Sequence, residues 1–291
     1  MTVDVVCAGP VFLDITFEGL EALPGPGEER FARDLHTTPG GAATTAVGLV
    51  RLGLGAAIAA PLGDDFAGEL LRDRLEAVGV VCAGGRSGRT PVSAVLPVGD
   101  ERSFATFEPA RGVDVRTIER LRPRAVVASL DEPELAPAGA RVYASVGQRT
   151  LPRAPSPSAV ARVDAVVANR DEATRLTGEA DADSAALALV ELAESAVVTC
   201  GGEGAVGASA GEVVAVPAPR VEVRDTTGAG DLFMAAYVWA DLAGLPLRER
   251  LRRGVLYAAL SVRTATGAGS AATLDELERA LAELDPAIMH E

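Results

Sequence analysis

The sequence predicts an α/β protein: a three-layer αβα domain on a mostly parallel, doubly wound sheet, with a small β lid. Three observations predict it. Short β-branched runs take turns with amphipathic helical patterns along most of the chain, which implies parallel strands covered on both faces. Hydrophobic residues make up 48% of the 291 and aromatics only 4%, so small side chains pack helix onto sheet in place of an aromatic-rich sandwich. Two stretches, 11–38 and 91–108, break the rhythm with alternating apolar residues and turn-forming tips, the pattern of small exposed hairpins. No internal repeat, heptad pattern or low-complexity linker divides the chain, so 1–291 reads as a single domain.

The elements follow in order. VDVVCAG at 3–9 is a β-branched run ended by Gly-Pro and reads as a buried strand. Residues 11–38, with the turn-rich ALPGPGEE, form an irregular excursion or small exposed sheet outside the central one. After GG at 40–41, AATTAVGLVRLG is a helix stopped by Gly53, AAIAAPLG a strand, and DFAGELLRDRLEAVG an amphipathic helix capped by Asp65. PVSAVLPVGDERSFATFE at 91–108 turns at GDE and lies beside the first excursion as the lid. Then VRTIERL is a helix, AVVASL and RVYASV are strands, 150–157 is a proline-rich connection, DAVVA is a strand and NRDEATRLTG a helix. A helix at 182–193, the strand AVVTC, a hairpin across 205–216, an apolar helix after DTTGAGD, and helices at about 246–265 and 273–284 complete the chain.

Charge and composition narrow the chemistry. A net charge of −14 and a pI near 4.7 argue against a nucleic-acid or anionic-membrane partner, so any phosphate site is local. All 27 basic residues are arginine, which excludes a P-loop lysine, a pyridoxal Schiff base and a lysine nucleophile. Cys7, Cys82 and Cys200 are far apart in apolar runs and read as buried thiols of a reducing cytosol. His36 and His290 have no Cys or His at ligand spacing, which argues against zinc. The N-terminus lacks a basic, apolar leader and no run reaches the ~20 apolar residues of a membrane helix. A soluble, cytoplasmic protein is expected.

DTTGAGD at 225–231 carries the strongest chemical signal. Two glycines allow close backbone approach, and a helix start leaves amide N–H groups unpaired and partly positive, so the turn can hold an anion. An aspartate there is placed to take a proton from a group meeting a phosphate. Asp and Gly are also ordinary caps. Two further motifs bear on the choice: PGGAATTAVGLVRLG at 39–53 sets a glycine pair before a helix, and ANRDE at 168–172 follows a strand.

In this order and spacing the three motifs resemble the ribokinase-like (PfkB-type) carbohydrate kinases over essentially the whole chain. The resemblance implies transfer of the γ-phosphate of ATP to a sugar or sugar-acid hydroxyl, in the manner of ribokinase, fructokinase or ketodeoxygluconate kinase. It makes Asp231 the general base and Gly228, Ala229 and Gly230 the backbone anion hole. It places Asn169 and Glu172 near magnesium and its waters, although N-x-x-E also matches a capping box. It assigns Asp14, Gly40 and Gly41 to the sugar, with Asp131 as a weaker match. Thr44 stands where the family pattern has asparagine, and a hydroxyl cannot reproduce the amide's donor and acceptor pair. For ATP it implies Thr199, Gly201 and Gly204 under the phosphates and ribose, and Ala258 and Gly267 at the adenine. Asp225, Thr227 and Ser270 resemble a loop that holds potassium in some members. It also implies a homodimer through the lid. Two alternatives stand beside this reading: a kinase of the same family acting on a nucleoside, or on a sugar phosphate held by Arg102 or Arg111, and a catalytically silent sugar- or nucleotide-binding protein.

Overall fold

A computed structural model describes residues 2–99, 101–109, 112–132, 135–146, 163–264 and 267–288. Strand β1 (Val5–Cys7) leads into the lid strands β2 (Val11–Glu18) and β3 (Asp34–Gly41), then α1 (Ala42–Arg51), β4 (Ala56–Ile58), α2 (Phe66–Ala77) and β5 (Val81–Cys82). Lid strands β6 (Val92–Val98) and β7 (Glu101–Phe107) follow, then α3 (Val115–Leu121), β8 (Ala125–Ser129), β9 (Arg141–Ser145), β10 (Ala165–Asn169), α4 (Arg170–Thr177) and α5 (Ala182–Leu189). The last part holds β11 (Ser195–Thr199), β12 (Ala205–Ser209), β13 (Glu212–Val216), α6 (Ala229–Leu242), α7 (Leu247–Ser261) and α8 (Leu274–Ile288).

The central sheet runs β13-β12-β11-β10-β9-β8-β1-β4-β5. From β5 to β11 it is parallel, and the β12–β13 hairpin closes it antiparallel. The chain builds outward from β1 in one direction through β4 and β5, and in the other from β8 onward. The order therefore reverses between β1 and β8, the kind of place where a doubly wound sheet opens a crevice at its carboxyl edge.

Val5, Val6 and Cys7 are wholly buried because helices cover both faces. Val5 and Cys7 pack with α1, α2, α6, α7 and α8 on one side, and Val6 with α3, α4 and α5 on the other. Helix α6 is apolar nearly all round and lies deep in the first layer, with Leu232 to Val238 and Ala240 buried. Gly48 lets α1 cross it closely: a Cβ there would meet Ala235 Cβ and Leu232 Cδ2 at 2.8 Å each. At the far end of α6, buried Asp241 accepts from the Tyr143 hydroxyl and pairs with Arg141 at 3.0 Å and Arg250 at 2.5 Å.

The lid is a separate four-stranded sheet in the order β3-β2-β6-β7. The two excursions lie side by side in this sheet, joined by a parallel pairing of β2 with β6. Strand β3 runs past residue 38 and carries Gly40 and Gly41 into the sheet opposite Phe12 and Val11. The helix expected over 182–193 ends at Leu189 and tightens into a 3₁₀ turn at Val190–Leu192. Helix α7 stops at Ser261, and α8 extends to Ile288. The 150–157 connection, Arg111 and His290 lie outside the described residues. All three cysteines are free, and among the described residues no helix is long and apolar enough to cross a membrane.

Candidate active site

The loop before α6 explains its own sequence. Asp225 Oδ1 accepts the Thr227 N–H at 2.8 Å, closing a short turn, and Gly228 follows at φ 77, a left-handed conformation that glycine adopts without steric cost. Gly228 offers no side-chain cap to α6. Leu232 N–H bonds Gly228 O and Ala229 N–H reaches Thr226 O at 3.2 Å, while among the described residues the N–H groups of Gly228, Gly230 and Asp231 have no partner. Unpaired amides at a helix start form a positive pole, and Asp231 stands in that first turn.

The glycine pair shapes the opposite wall. A Cβ on Gly40 would lie 2.0 Å from Asp14 Oδ2, so the carboxylate rests against bare backbone. Gly41 has φ 62, and a Cβ there would meet Pro10 O at 2.6 Å. Thr44, in the first turn of α1, is buried and donates Oγ1–H to Pro39 O at 3.2 Å. Its neighbour Thr45 donates to the Asp231 carbonyl at 3.3 Å, stitching α1 to the turn that carries the acid.

Between these walls lies a cavity of about 550 Å³. Asp14, Gly41 and Thr44 line one side, Thr226, Thr227, Gly228 and Asp231 the other, and Ser93, Arg102 and Phe104 of the lid form the roof with Phe12. Asp231 keeps partial solvent access, but burial pushes its carboxyl up to about 7, helped by the charges of Asp14 and Glu172. Burial, then the charge of Asp225, pushes Asp14 up to about 6. Burial and then Asp231 keep the Cys7 thiol, at the end of β1, protonated. Two carboxyls thus titrate near neutrality in one cavity, the environment a general base requires.

Asp14, Gly41, Thr44, Thr227, Gly228 and Asp231 line the cavity, with Gly40 against Asp14. Asp131 does not line it; it follows β8 and accepts from Ser129. Asn169 ends β10 and forms a full capping box with Glu172, each side chain bonding the other's N–H at 2.9 Å. Burial raises the Glu172 pKa. Thr199 ends β11, followed by the Gly201–Glu203 turn and by Gly204 at φ 106, where a Cβ would strike Val216 O at 2.0 Å. Arg170 pairs with Glu203 at 2.7 Å and ties the start of α4 to that turn. Ala258 is half-buried on α7, while Gly267 opens and Ser270 closes a 3₁₀ turn. A second cavity of about 450 Å³ is lined by Arg220, Val221, Glu222, Arg224 and Arg263, between the loop leading to α6 and the end of α7. Glu18, Asp34 and His36 bring potential ligand atoms within 4.8 Å of one another across β2 and β3, without lining the first cavity.

Sequence reading missed Phe12, Ser93, Phe104 and, inside its own motif, Thr226. Phe12 shares the face of Asp14 by strand alternation, a signal that was present. Ser93 reaches the site only because β6 pairs with β2 in the register Asp14 to Ser93.

The model of pfkB family carbohydrate kinases matches residues 4–128 and 139–274. The chain belongs to the pfkB carbohydrate kinase family. This pfkB chain is 37% identical to a 2-dehydro-3-deoxygalactonokinase of Haloferax volcanii over 125 residues, 41% of this chain and 38% of that one. It is 40% identical to a ribokinase of Mus musculus over 112 residues, 35% and 34% of the two chains. The chain spans little more than a third of the length of these relatives. The fold is shared over most of the chain: the Arabidopsis thaliana ribokinase complexed with ribose and ATP superposes with a TM-score of 0.81 at 24% identity, over 96% of this chain and 98% of that one. A Thermotoga maritima ribokinase gives 0.81 at 21% identity, over 96% and 99%.

Proposed function

We propose that this pfkB chain transfers the γ-phosphoryl group of ATP to a hydroxyl of a sugar or sugar acid, with Asp231 as general base. One observation carries the reading. Asp231, raised to about 7, shares a cavity with Asp14 and stands in the helix turn whose Gly228 and Gly230 N–H groups lack partners among the described residues. The acceptor hydroxyl lies between the two carboxylates, held by Asp14, and gives its proton to Asp231 as oxygen attacks phosphorus. The migrating phosphoryl group, negative on its outer oxygens, meets the open amides of Gly228, Gly230 and Asp231 and the positive end of α6. Ala229 contributes less, because its N–H already reaches Thr226 O.

Thr44 restricts the acceptor. Its single proton is used on Pro39 O, so towards the cavity it offers lone pairs and accepts from a substrate hydroxyl. The sugar-acid class is supported by similarity to 2-dehydro-3-deoxygalactonokinase. Glu172 and Asn169 supply hard oxygen donors of the kind magnesium takes, directly or through water. When bound, the metal offsets phosphate charge. Thr199, Gly201, Gly204, Ala258 and Gly267 are the residues this reading assigns to ATP, and the arginine-lined cavity beside α7 gives an acidic protein a local place for a polyanion. The lid excludes water that would compete as acceptor. Its outer face carries exposed Phe31, Leu35 and Phe107, an apolar surface suited to a second copy. The free cysteines suit a reducing, cytoplasmic setting.

The test is ADP release with magnesium and ATP across free sugars, sugar acids, nucleosides and sugar phosphates, for wild type and Asp231→Asn. A strong acceptor whose turnover collapses in the variant is the expected result. Silence across the panel with ATP binding intact would overturn the kinase reading.

A further inference from the structure

Arg102 lies on the lid strand β7 but bonds to the catalytic loop. Its Nη1 donates to Thr227 Oγ1 at 2.7 Å and to Asp225 Oδ1 at 3.2 Å. Asp225 Oδ1 also accepts the Thr227 N–H, so one guanidinium and one carboxylate together define the turn entering Gly228. The pair is largely shielded from solvent, with side-chain exposures of 20% for Arg102 and 13% for Asp225. Shielded to this degree, the pair is screened by salt much less than an exposed one. The lid is tethered elsewhere by Arg74, which bonds Thr37 Oγ1 at 2.9 Å and Thr37 O at 2.5 Å; that tether leaves the loop untouched.

Asp225 and Thr227 are two of the three residues, with Ser270, that the family resemblance gives to potassium. In this arrangement the Thr227 hydroxyl and Asp225 Oδ1 are already engaged by Arg102, whose positive charge stands beside the loop. We propose that Arg102 is a positioning residue that acts as a tethered cation, fixing the Asp225–Thr227 turn and the amides after it when the lid is down, in place of a monovalent metal ion. The loop that receives the phosphoryl group is thereby ordered by the same strand that covers the acceptor. A nucleotide meeting an open lid finds the amide turn unset, which restrains transfer to water.

The inference rests on the kinase reading for its catalytic consequence but not for its structural one, so two measurements are made. The first is hydrogen exchange of wild type, Arg102→Ala and Arg74→Ala without substrate. Arg102→Ala speeds exchange of the amides at 225–231 by ~10-fold or more, guanidinium chloride at non-denaturing concentration slows it again, and Arg74→Ala leaves those amides unchanged. Unchanged exchange at 225–231 in Arg102→Ala overturns the proposal whether or not an acceptor is known.

The second is turnover with potassium or tetramethylammonium at equal ionic strength. Wild type responds less than about twofold, whereas Arg102→Ala loses kcat by ~10²-fold, roughly the cost of one misplaced anion-hole donor, and is partly restored by guanidinium. Strong potassium activation of wild type overturns the proposal. So does a loss confined to KM for anionic acceptors, which would make Arg102 a reader of substrate charge.

Discussion

Asp231 combines two demands that pull in opposite directions. Its place in a crowded, carboxylate-rich cavity favours the neutral acid, while the proton abstraction proposed for it needs the anion. With the carboxyl raised to about 7, kcat/KM climbs as pH rises through that value and levels off above it, measured on the free enzyme with a saturable acceptor. Asp231→Asn reduces turnover by ~10²- to 10⁴-fold at pH 8. The same shift acts on stability. A carboxyl whose folded pKa is raised binds more protons folded than unfolded, so stability falls as pH rises towards about 7. Asp231→Asn therefore melts above wild type at pH 8, and the gain vanishes below about pH 4, where the acid is protonated in both states. Equal melting temperatures at pH 8 would contradict the burial argument. These residues were legible in the sequence because DTTGAGD and the glycine pair are local patterns whose backbone needs are written in consecutive letters. Ser93 and Phe104 were not, because only the pairing of β2 with β6 delivers them.

Helix α6 sets the energetics at the scale of elements. It crosses α1 at Gly48, where a side chain would need room that Ala235 and Leu232 already fill. Gly48→Val lowers unfolding free energy by about 1–3 kcal/mol or more, read in urea melts, because a packed core absorbs extra methyls poorly. Asp241 anchors the other end of the helix against Tyr143, Arg141 and Arg250. Asp241→Ala strands those groups and lowers stability by about 3–5 kcal/mol, with little change in KM. Element types were legible because period-2 and period-3.6 patterns alternate cleanly; several boundaries were not. The glycine pair lies within β3, whose sequence DLHTTPGG has little intrinsic strand propensity. Its ladder with β2 is a tertiary effect, and cross-strand packing outweighs propensity.

For the whole molecule, the lid and the core are joined by contacts that no local pattern announces. The three-layer fold was readable from the order of elements, and the lid from the two stretches that broke it; the Arg102 contact, 123 residues away from Asp225, was not. If the outer lid face holds a second copy, sedimentation equilibrium gives twice the chain mass of 29.8 kDa. Leu35→Glu with Phe107→Glu then returns it to one chain, with the melting temperature of the core unchanged. The crossing of α1 and α6 also has a meaning for biosynthesis. Roughly 180 residues separate the two helices, so at 5–20 residues per second the ribosome exposes the face of α1 about 10–40 s before its cover emerges. A nascent or prematurely terminated chain holds Asp14 and the glycine pair but neither Asp231 nor the amide turn. Unfinished copies therefore expose the uncovered apolar face of α1 and lack the amide turn proposed to receive a phosphoryl group.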